Sequence, residues 1–252
     1  MGKSLLEKLD ELRKIPEPCA IWRYMNMYEF LALMSDRRLV FQQFRELQKK
    51  DKQEGMIPSG FWESWERYMR LLIKDEELIA STRKTNEKHV NDLRCFDYAS
   101  CWNMAKTENA LMWMAYAPKG IAIKSTVNKL RRAKIDPESE VTSIGYDRIV
   151  YADDWHELSK HGLDHEGILL ARLFLHTKRK AFDGENEVRF RIQLPVSVCS
   201  DAANCPPWFL VKFENLDWIE RVVAESSIAP WAIETIRQLT DQHGLSFEQS
   251  GI

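Results

Sequence analysis

The 252-residue chain lacks any apolar run that approaches the roughly 20 residues of a membrane-spanning helix. Its opening, Met1 to Lys8, also lacks the apolar core of a signal peptide. The five cysteines are an odd number, which does not suit a framework of paired disulfides. These absences predict a protein of the reducing cytoplasm with no membrane partner.

An excess of charge of either sign is missing as well. Lysine and arginine number 36 and aspartate and glutamate 38, so the formal net charge is −2. The chain as a whole therefore has no attraction for nucleic acid or anionic membranes, although a local patch stays compatible with the sequence. No repeat, low-complexity tract or long linker divides the chain. We expect an N-terminal helix and linker over residues 1–19 and a single domain over residues 20–252.

The cysteine and histidine spacings do not indicate a metal site. Two cysteine pairs share one spacing, Cys95 with Cys101 and Cys199 with Cys205. Structural zinc sites mostly place paired cysteines about two to four residues apart, so we predict no zinc. His161 and His165 would share a helix face, but Gly162 weakens that helix, and we expect solvated loop histidines there.

Hydrophobic periodicity predicts strands and helices interspersed along the chain. Strand-like runs cover residues 20–25, 38–41, 95–102, 121–126, 144–151 and 208–212. Helical spacing covers residues 27–36, 61–90, 107–117, 127–133, 168–180 and 230–243, and the aromatic stripe of residues 61–73 is expected in the core. This order predicts one α+β domain with a central antiparallel or mixed sheet flanked by helices.

The segment from Lys178 to Arg191 concentrates the most ionisable side chains in a stretch that also has regular periodicity. A two-residue period from Glu185 predicts a half-buried strand with four charged residues on one face: Glu185, Glu187, Arg189 and Arg191. Gly184 is expected to let the chain turn into this strand. The charged face is either a site or a set of cross-strand ion pairs.

Short motifs follow one another in a fixed order: Arg23-Tyr24, Ser100-Cys101-Trp102, Met112-Trp113 with Tyr116-Ala117, Gly120-Ile121, and Lys178-Arg179 through Phe182, Glu185, Glu187 and Arg189. In these motifs the chain resembles the bacterial family called "domain of unknown function 2971". The resemblance covers roughly residues 20 to 245. It implies that Arg23, Glu185, Glu187 and Arg189 matter for function, without naming that function.

An arginine, a serine and a Glu-x-Glu on early, middle and late strands also resemble, distantly, the triad of ADP-ribosyltransferases. The resemblance implies NAD as substrate. Arg23 would hold a phosphate or ribose oxygen with two parallel hydrogen bonds, and Ser100 would position the ribose. Glu187 would oppose the positive charge that develops as the glycosidic bond breaks, while Glu185 orients the nucleophile.

Aromatic residues close to these positions complete the expected cofactor site. Tyr24 adjoins Arg23, and Trp102, Trp113 and Tyr116 are candidates for stacking on the nicotinamide ring. The expected partners are NAD or a related nucleotide and an unidentified macromolecular target, with no metal. A role as a toxin or in phage defence would follow by analogy alone.

Two other functions use the same residues. In a non-catalytic module, Arg23 and the charged strand would bind a ligand or partner without turnover. In a magnesium-dependent nuclease, Asp153 and Asp154 would join Glu185 and Glu187 as metal ligands, with Lys178 or Lys180 at a phosphate. Arg23 taken alone is compatible with an anion clamp or with a surface arginine.

Overall fold

The computed structural model describes residues 14–15, 18–49, 51–158, 174–195, 198–199, 201–202 and 204–252. Its strands are β1 (Ala20–Met25), β2 (Arg38–Gln43), β3 (Asp97–Met104), β4 (Ile121–Thr126), β5 (Gly145–Arg148), β6 (Val150–Tyr151), β7 (Thr177–Lys178), β8 (Glu187–Gln193), β9 (Trp208–Lys212), β10 (Arg221–Ala224) and β11 (Phe247–Gln249). Its α-helices are α1 (Met27–Asp36), α2 (Phe44–Leu47), α3 (Phe61–Leu72), α4 (Glu76–Phe96), α5 (Ala110–Tyr116), α6 (Val127–Arg132), α7 (Trp155–Leu158) and α8 (Pro230–Asp241). A 3₁₀-helix covers Lys180–Glu185.

Within the described residues, nine strands form one mixed sheet. Seven follow the order β11-β10-β4-β1-β3-β2-β9, while β8 pairs with β3 and β5 pairs with β8. The pairings are antiparallel except for β10 with β11, and β6 and β7 form a separate parallel pair. Helices and a central sheet in one α+β arrangement confirm the fold class predicted from periodicity.

The two faces of the sheet differ in character around β8. Val188, Phe190 and Ile192 are buried in the main hydrophobic core, together with residues of α1 and α8. Glu187 and Arg189 lie on the opposite face and are also buried. The predicted two-residue period is therefore confirmed from Glu187 to Ile192, but both faces of β8 are covered rather than one. The prediction that Glu185 belongs to this strand is wrong, because Glu185 ends the 3₁₀-helix.

The sheet forks along one edge of β3. Near the end of β3, Asn103 and Met104 pair with β1, whereas Tyr98 and Ala99 near its start pair with β2. Beyond Trp22, β1 continues alongside β4 and leaves β3. The edge of β3 around Cys101 therefore lies in a gap between β1 and β2, and this gap forms the site described below.

The long helical stretch predicted over residues 61–90 is two helices. Asp75 lies between them, and its side chain accepts hydrogen bonds from the backbone N–H groups of Glu77 and Leu78, which starts α4. The aromatic stripe of α3 is in a core, as predicted, because Phe61 and Trp65 are buried in a second hydrophobic cluster with residues of α4 and α7.

The turn into β8 is made differently from the prediction. A Cβ on Gly184 would meet nothing within 4 Å, and its φ is not in the left-handed region, so glycine is not required there. The left-handed residue is Asn186, with φ 39°. The predicted helix over residues 168–180 is wrong in its described part, since Thr177 and Lys178 form β7. The predicted N-terminal helix, His161 and His165 lie outside the described residues.

Two further observations concern the cysteines and the membrane. A disulfide joins Cys199 and Cys205, with their Cα atoms 5.4 Å apart, which disagrees with the expectation of reduced thiols.

No helix in the described part of the chain combines the length and apolar character of a membrane span.

Gly120 provides a test of the packing between β1 and β4. A Cβ at this position would lie 2.4 Å from the backbone oxygen of Met25. We expect Gly120→Ala to lower the free energy of unfolding by about 1–3 kcal/mol, because backbone atoms must shift. Urea unfolding measures the effect, and Gly184→Ala is the control, because its Cβ would meet no atom. Equal midpoints for the two variants would contradict the close approach.

Candidate functional site

A pocket opens at the fork of the sheet and holds about 880 Å³ of space, including the part open to solvent. Its walls come from distant parts of the chain. They include Trp22, Arg23 and Tyr24 of β1, Cys101 of β3, Tyr116 of α5, Asp51 and Glu54 of the segment after α2, and Lys178, Phe182, Glu185 and Glu187. Six of the predicted residues therefore line one pocket: Arg23, Tyr24, Trp102, Tyr116, Glu185 and Glu187.

Arg23 bridges the gap in the sheet. One terminal nitrogen, Nη1, donates to the backbone oxygen of Cys101 at 2.9 Å, in place of the strand pairing lost there. The other, Nη2, lies 3.0 Å from Glu29 Oε1. Both nitrogens of the expected anion clamp are thus occupied within the protein. The Nε atom is buried and has no hydrogen-bond partner among the described residues.

The start of α1 fixes this arrangement. Asn26 caps the helix by accepting from the backbone N–H of Glu29, and Glu29 Oε2 accepts in turn from the backbone N–H of Asn26. The Glu29 carboxylate therefore accepts a hydrogen bond from the start of α1 with Oε2 and from Arg23 with Oε1. Asn26 directly follows β1 in the sequence, and the bond between Asn26 and Glu29 fixes the carboxylate that holds the Arg23 guanidinium. The end of β1 and the position of this guanidinium are therefore determined by the same contacts.

A buried ion cluster forms the floor of the pocket. Lys178 Nζ lies 2.5 Å from Glu185 Oε2, 3.4 Å from Glu187 Oε2 and 3.5 Å from Glu54 Oε2. Arg189 is fully buried and binds Glu187 Oε1 and Glu54 Oε1, each at 2.7 Å. A third bond from Arg189 reaches the backbone oxygen of Leu175 at 2.6 Å. Three carboxylates and two cations are therefore connected in one network.

The network favours the charged forms of Glu187, Lys178 and Arg189. Burial by itself raises the pKa of Glu187, but Arg189 and Lys178 outweigh it and lower that pKa from 4.5 to about 2. Burial by itself lowers the pKa of Lys178, but Glu187, Glu54 and Glu185 raise it above its ordinary value. The same balance holds the pKa of Arg189 well above its usual range.

Glu185 and Glu187 have different surroundings, although they are separated by one residue. Glu187 begins β8, and its side chain is 3% exposed, whereas Glu185 ends the 3₁₀-helix with a side chain 15% exposed. Asn103 Nδ2 donates to the backbone oxygen of Glu185 at 2.5 Å, which fixes the bend. Glu185 therefore faces the pocket from its wall, and Glu187 lies beneath it.

Tyrosine side chains complete the wall. The Tyr116 hydroxyl donates to Glu185 Oε1 at 2.5 Å. Burial, opposed by Lys178 and reinforced by Glu185, raises the pKa of Tyr116 above its ordinary value. The Tyr24 hydroxyl accepts from the backbone N–H of Asn109 at 2.8 Å, and this contact links β1 to the start of α5.

Two predicted site residues, Ser100 and Trp113, are not among the residues that line this pocket, and a third, Trp102, lines it although its side chain is buried. Ser100 lies opposite Phe190 and is fully buried on the core side of β3, where its Oγ accepts from Trp102 Nε1 at 3.1 Å. Alternation puts Cys101, not Ser100, on the face of Glu187. The Trp102 ring packs against Phe190 in the core. Trp113 is buried behind Tyr24, with ring centroids 5.1 Å apart.

The residues of the nuclease hypothesis have other partners. Asp153 Oδ1 accepts from the backbone N–H of Lys180, and Asp154 Oδ1 accepts from the backbone N–H of Glu157 at the start of α7. The ammonium of Lys178 occupies the space between Glu185 and Glu187 that a metal ion would need. In the ranges that the structure describes, no group of three or more His, Cys, Asp or Glu side chains is arranged to hold a metal.

Sequence reasoning did not select Asp51 and Glu54, which lie in the segment after α2. Both are buried, because Arg179 binds Asp51 at 2.8 Å and Arg189 binds Glu54. These partners are more than a hundred residues away in sequence. No local pattern signals such contacts, so only the tertiary structure identifies the two carboxylates.

No family model matches the chain, and comparison with curated proteins and with solved structures also gave no match. The resemblance to the family of unknown function therefore stays a prediction that rests on its motifs.

Loss of Arg189 tests the buried network. We expect Arg189→Leu to lower the free energy of unfolding by about 3–5 kcal/mol, because Glu54 and Glu187 would be left buried without this partner. Arg221→Leu is the control, since the Arg221–Glu248 pair is exposed and should contribute only about 0–1 kcal/mol. Similar unfolding midpoints in urea for the two variants would show that the network contributes little to the stability of the fold.

Acid should weaken the same network. Because the pKa of Glu187 is lowered from 4.5 to about 2, its contribution is present above pH 4.5 and is lost as the pH falls toward 2. The difference in unfolding free energy between the unaltered protein and Glu187→Gln should therefore be largest at neutral pH and shrink across this interval. Chemical unfolding at several pH values measures it, and a constant difference would contradict the assigned charge state.

Proposed function

We propose that the pocket binds NAD and cleaves the bond between nicotinamide and ribose, passing ADP-ribose to a target group or to water. The observation that supports this proposal is the convergence of Arg23, Tyr116, Glu185 and Glu187 on one pocket. Carboxylates beside the reacting carbon suit a reaction that develops positive charge on a sugar ring. Aromatic walls suit a flat heterocycle.

We assign the roles of the two carboxylates differently from the sequence-based expectation, because of where they lie in the pocket. Glu185 is the carboxylate that reaches the pocket, so we place it next to the reacting carbon. Glu187 is bound by Arg189 and Lys178, and we assign it the role of holding these two side chains in place at the floor of the pocket. Ser100 has no role in this reaction because it lies on the other face of β3.

The chemical step is a displacement at the anomeric carbon of the ribose. The carbon–nitrogen bond breaks, and its electron pair goes to the ring nitrogen, which makes nicotinamide neutral. Positive charge then develops on the ribose beside Glu185. An oxygen or nitrogen of the acceptor forms the new bond to that carbon, and Glu185 takes the proton that the acceptor loses.

A second candidate is a module that binds a nucleotide without turnover. It is favoured by the internal pairing of the charged groups: Arg23 is bound by Glu29, and Lys178 is surrounded by carboxylates. Most charged side chains of this pocket are already paired within the protein, so their arrangement does not require a catalytic role to explain it. A role in toxicity or phage defence is compatible with either candidate and rests on analogy.

Nicotinamide release from NAD separates the two candidates. We expect NAD at millimolar concentration to raise the Tm, and Glu185→Gln to reduce nicotinamide release by roughly a hundredfold or more, because the pocket-facing carboxylate is lost. The fold should persist, since Lys178 keeps two carboxylate partners. Glu234→Gln, on an exposed position of α8, is the control.

The outcomes differ clearly. A higher Tm without nicotinamide release would favour the binding module. No effect of NAD on either the Tm or nicotinamide release would exclude both candidates as NAD-dependent functions. Full activity in Glu185→Gln would overturn the assigned role of this carboxylate.

A further inference from the structure

The Cys199–Cys205 disulfide lies in the connection between β8 and β9, shortly before β9 begins. Cys199 is 4% exposed and belongs to the main hydrophobic core, whereas Cys205 is partly exposed at the edge of that core. The bridge therefore ties the chain that enters β9 to the core. A cross-link of this kind restricts the unfolded chain and shortens the free connection between two strands.

Two hydrogen bonds directly after Cys205 fasten the start of β9 to its neighbours. The Tyr98 hydroxyl of β3 donates to the backbone oxygen of Pro206 at 2.6 Å. The backbone N–H of Gln43, which ends β2, donates to the backbone oxygen of Pro207 at 3.0 Å. The disulfide thus holds the chain at the point where it joins these two strands.

The same end of β9 contacts a residue of the pocket wall. Trp208, the first residue of β9, pairs with Gln42 of β2, and Gln42 pairs on its other side with Ala99 of β3. Gln42 also lines the pocket. Because β2 borders the gap in the sheet, a change at the start of β9 reaches the pocket through a single strand pairing.

The other three cysteines are poorly suited to exchange with this bridge. Burial raises the pKa of the thiols of Cys19, Cys95 and Cys101, which favours their protonated form at neutral pH. A thiol attacks a disulfide as its thiolate, so these three groups are weak nucleophiles. The bridge is therefore expected to respond to an external thiol, and Cys205 is the more accessible of its two ends.

We propose that the Cys199–Cys205 disulfide is a redox-sensitive clamp, whose reduction by a dithiol loosens β9 from β2 and alters the pocket wall at Gln42. A thiolate of the dithiol attacks the Cys205 sulfur, the bond between the two cysteine sulfurs breaks, and its electron pair goes to Cys199.

The second thiol of the reductant then displaces the Cys205 sulfur and closes a disulfide within the reductant. Both cysteines end as thiols, so two electrons and two protons pass from the dithiol to the protein. The clamp would act on the pocket whatever ligand the pocket binds.

Hydrogen exchange followed by mass spectrometry tests the clamp, with dithiothreitol as the dithiol. Once unfolded in denaturant, the oxidised protein should have three thiols that react with a maleimide, and the reduced protein should have five. We expect reduction to speed amide exchange in β2 and β9 by roughly tenfold or more. Exchange in β4 and β10, which lie beyond β1 and β3 in the sheet, should change by less than about twofold.

The same serine substitution at two cysteines provides a variant and its control. Cys205→Ser should show the exchange of the reduced protein with or without dithiothreitol, while Cys19→Ser, at an unbridged position, should keep the full response. The comparison in the unaltered protein is decisive even if Cys205→Ser fails to fold. Five reactive thiols after treatment with oxidised glutathione, equal exchange in the two redox states, or equal acceleration in β4 and β10 would overturn the proposal.

Discussion

The bonds of Arg189 join the parts of the chain that form the floor of the site. This guanidinium is fully buried, lies 5.2 Å from the ring centre of Phe44, and binds Glu54, Glu187 and the backbone oxygen of Leu175. A buried charge is tolerated only when it is surrounded by partners of this kind. The segment after β2, the strand β8 and the chain leading to β7 must therefore meet at one point, and the floor of the pocket is the result.

The fork in the sheet provides the other half of the site. A strand edge without a neighbour leaves backbone groups unpaired, and such groups need another partner. Arg23 supplies it for Cys101, which allows β1 and β2 to diverge without leaving that carbonyl buried and unbonded. The pocket is thus a consequence of how β3 shares one edge between two strands, and the residues that line it stabilise the gap as well as define it.

Local sequence patterns predicted most strands and the α+β class because alternation and helical spacing depend on near neighbours. The same alternation placed Val188 and Phe190 in the core. It did not reveal that Ser100 shares that core, since the face of β3 depends on its register with β8. The burial of Glu54 was equally hidden, because it depends on Arg189, a residue 135 positions away. Predictions failed where they depended on contacts between residues far apart in the sequence.

The Glu29 carboxylate joins two parts of the molecule that would otherwise behave independently. One oxygen holds the first turn of α1, and the other holds Arg23 in the gap between the strands. Fraying at the start of this helix would therefore release the guanidinium from one of its two partners and loosen the edge of β3 at Cys101. Amide hydrogens at the start of α1 and at the fork should thus exchange with solvent as one cooperative unit. The opening of the pocket should therefore widen when the first turn of α1 frays.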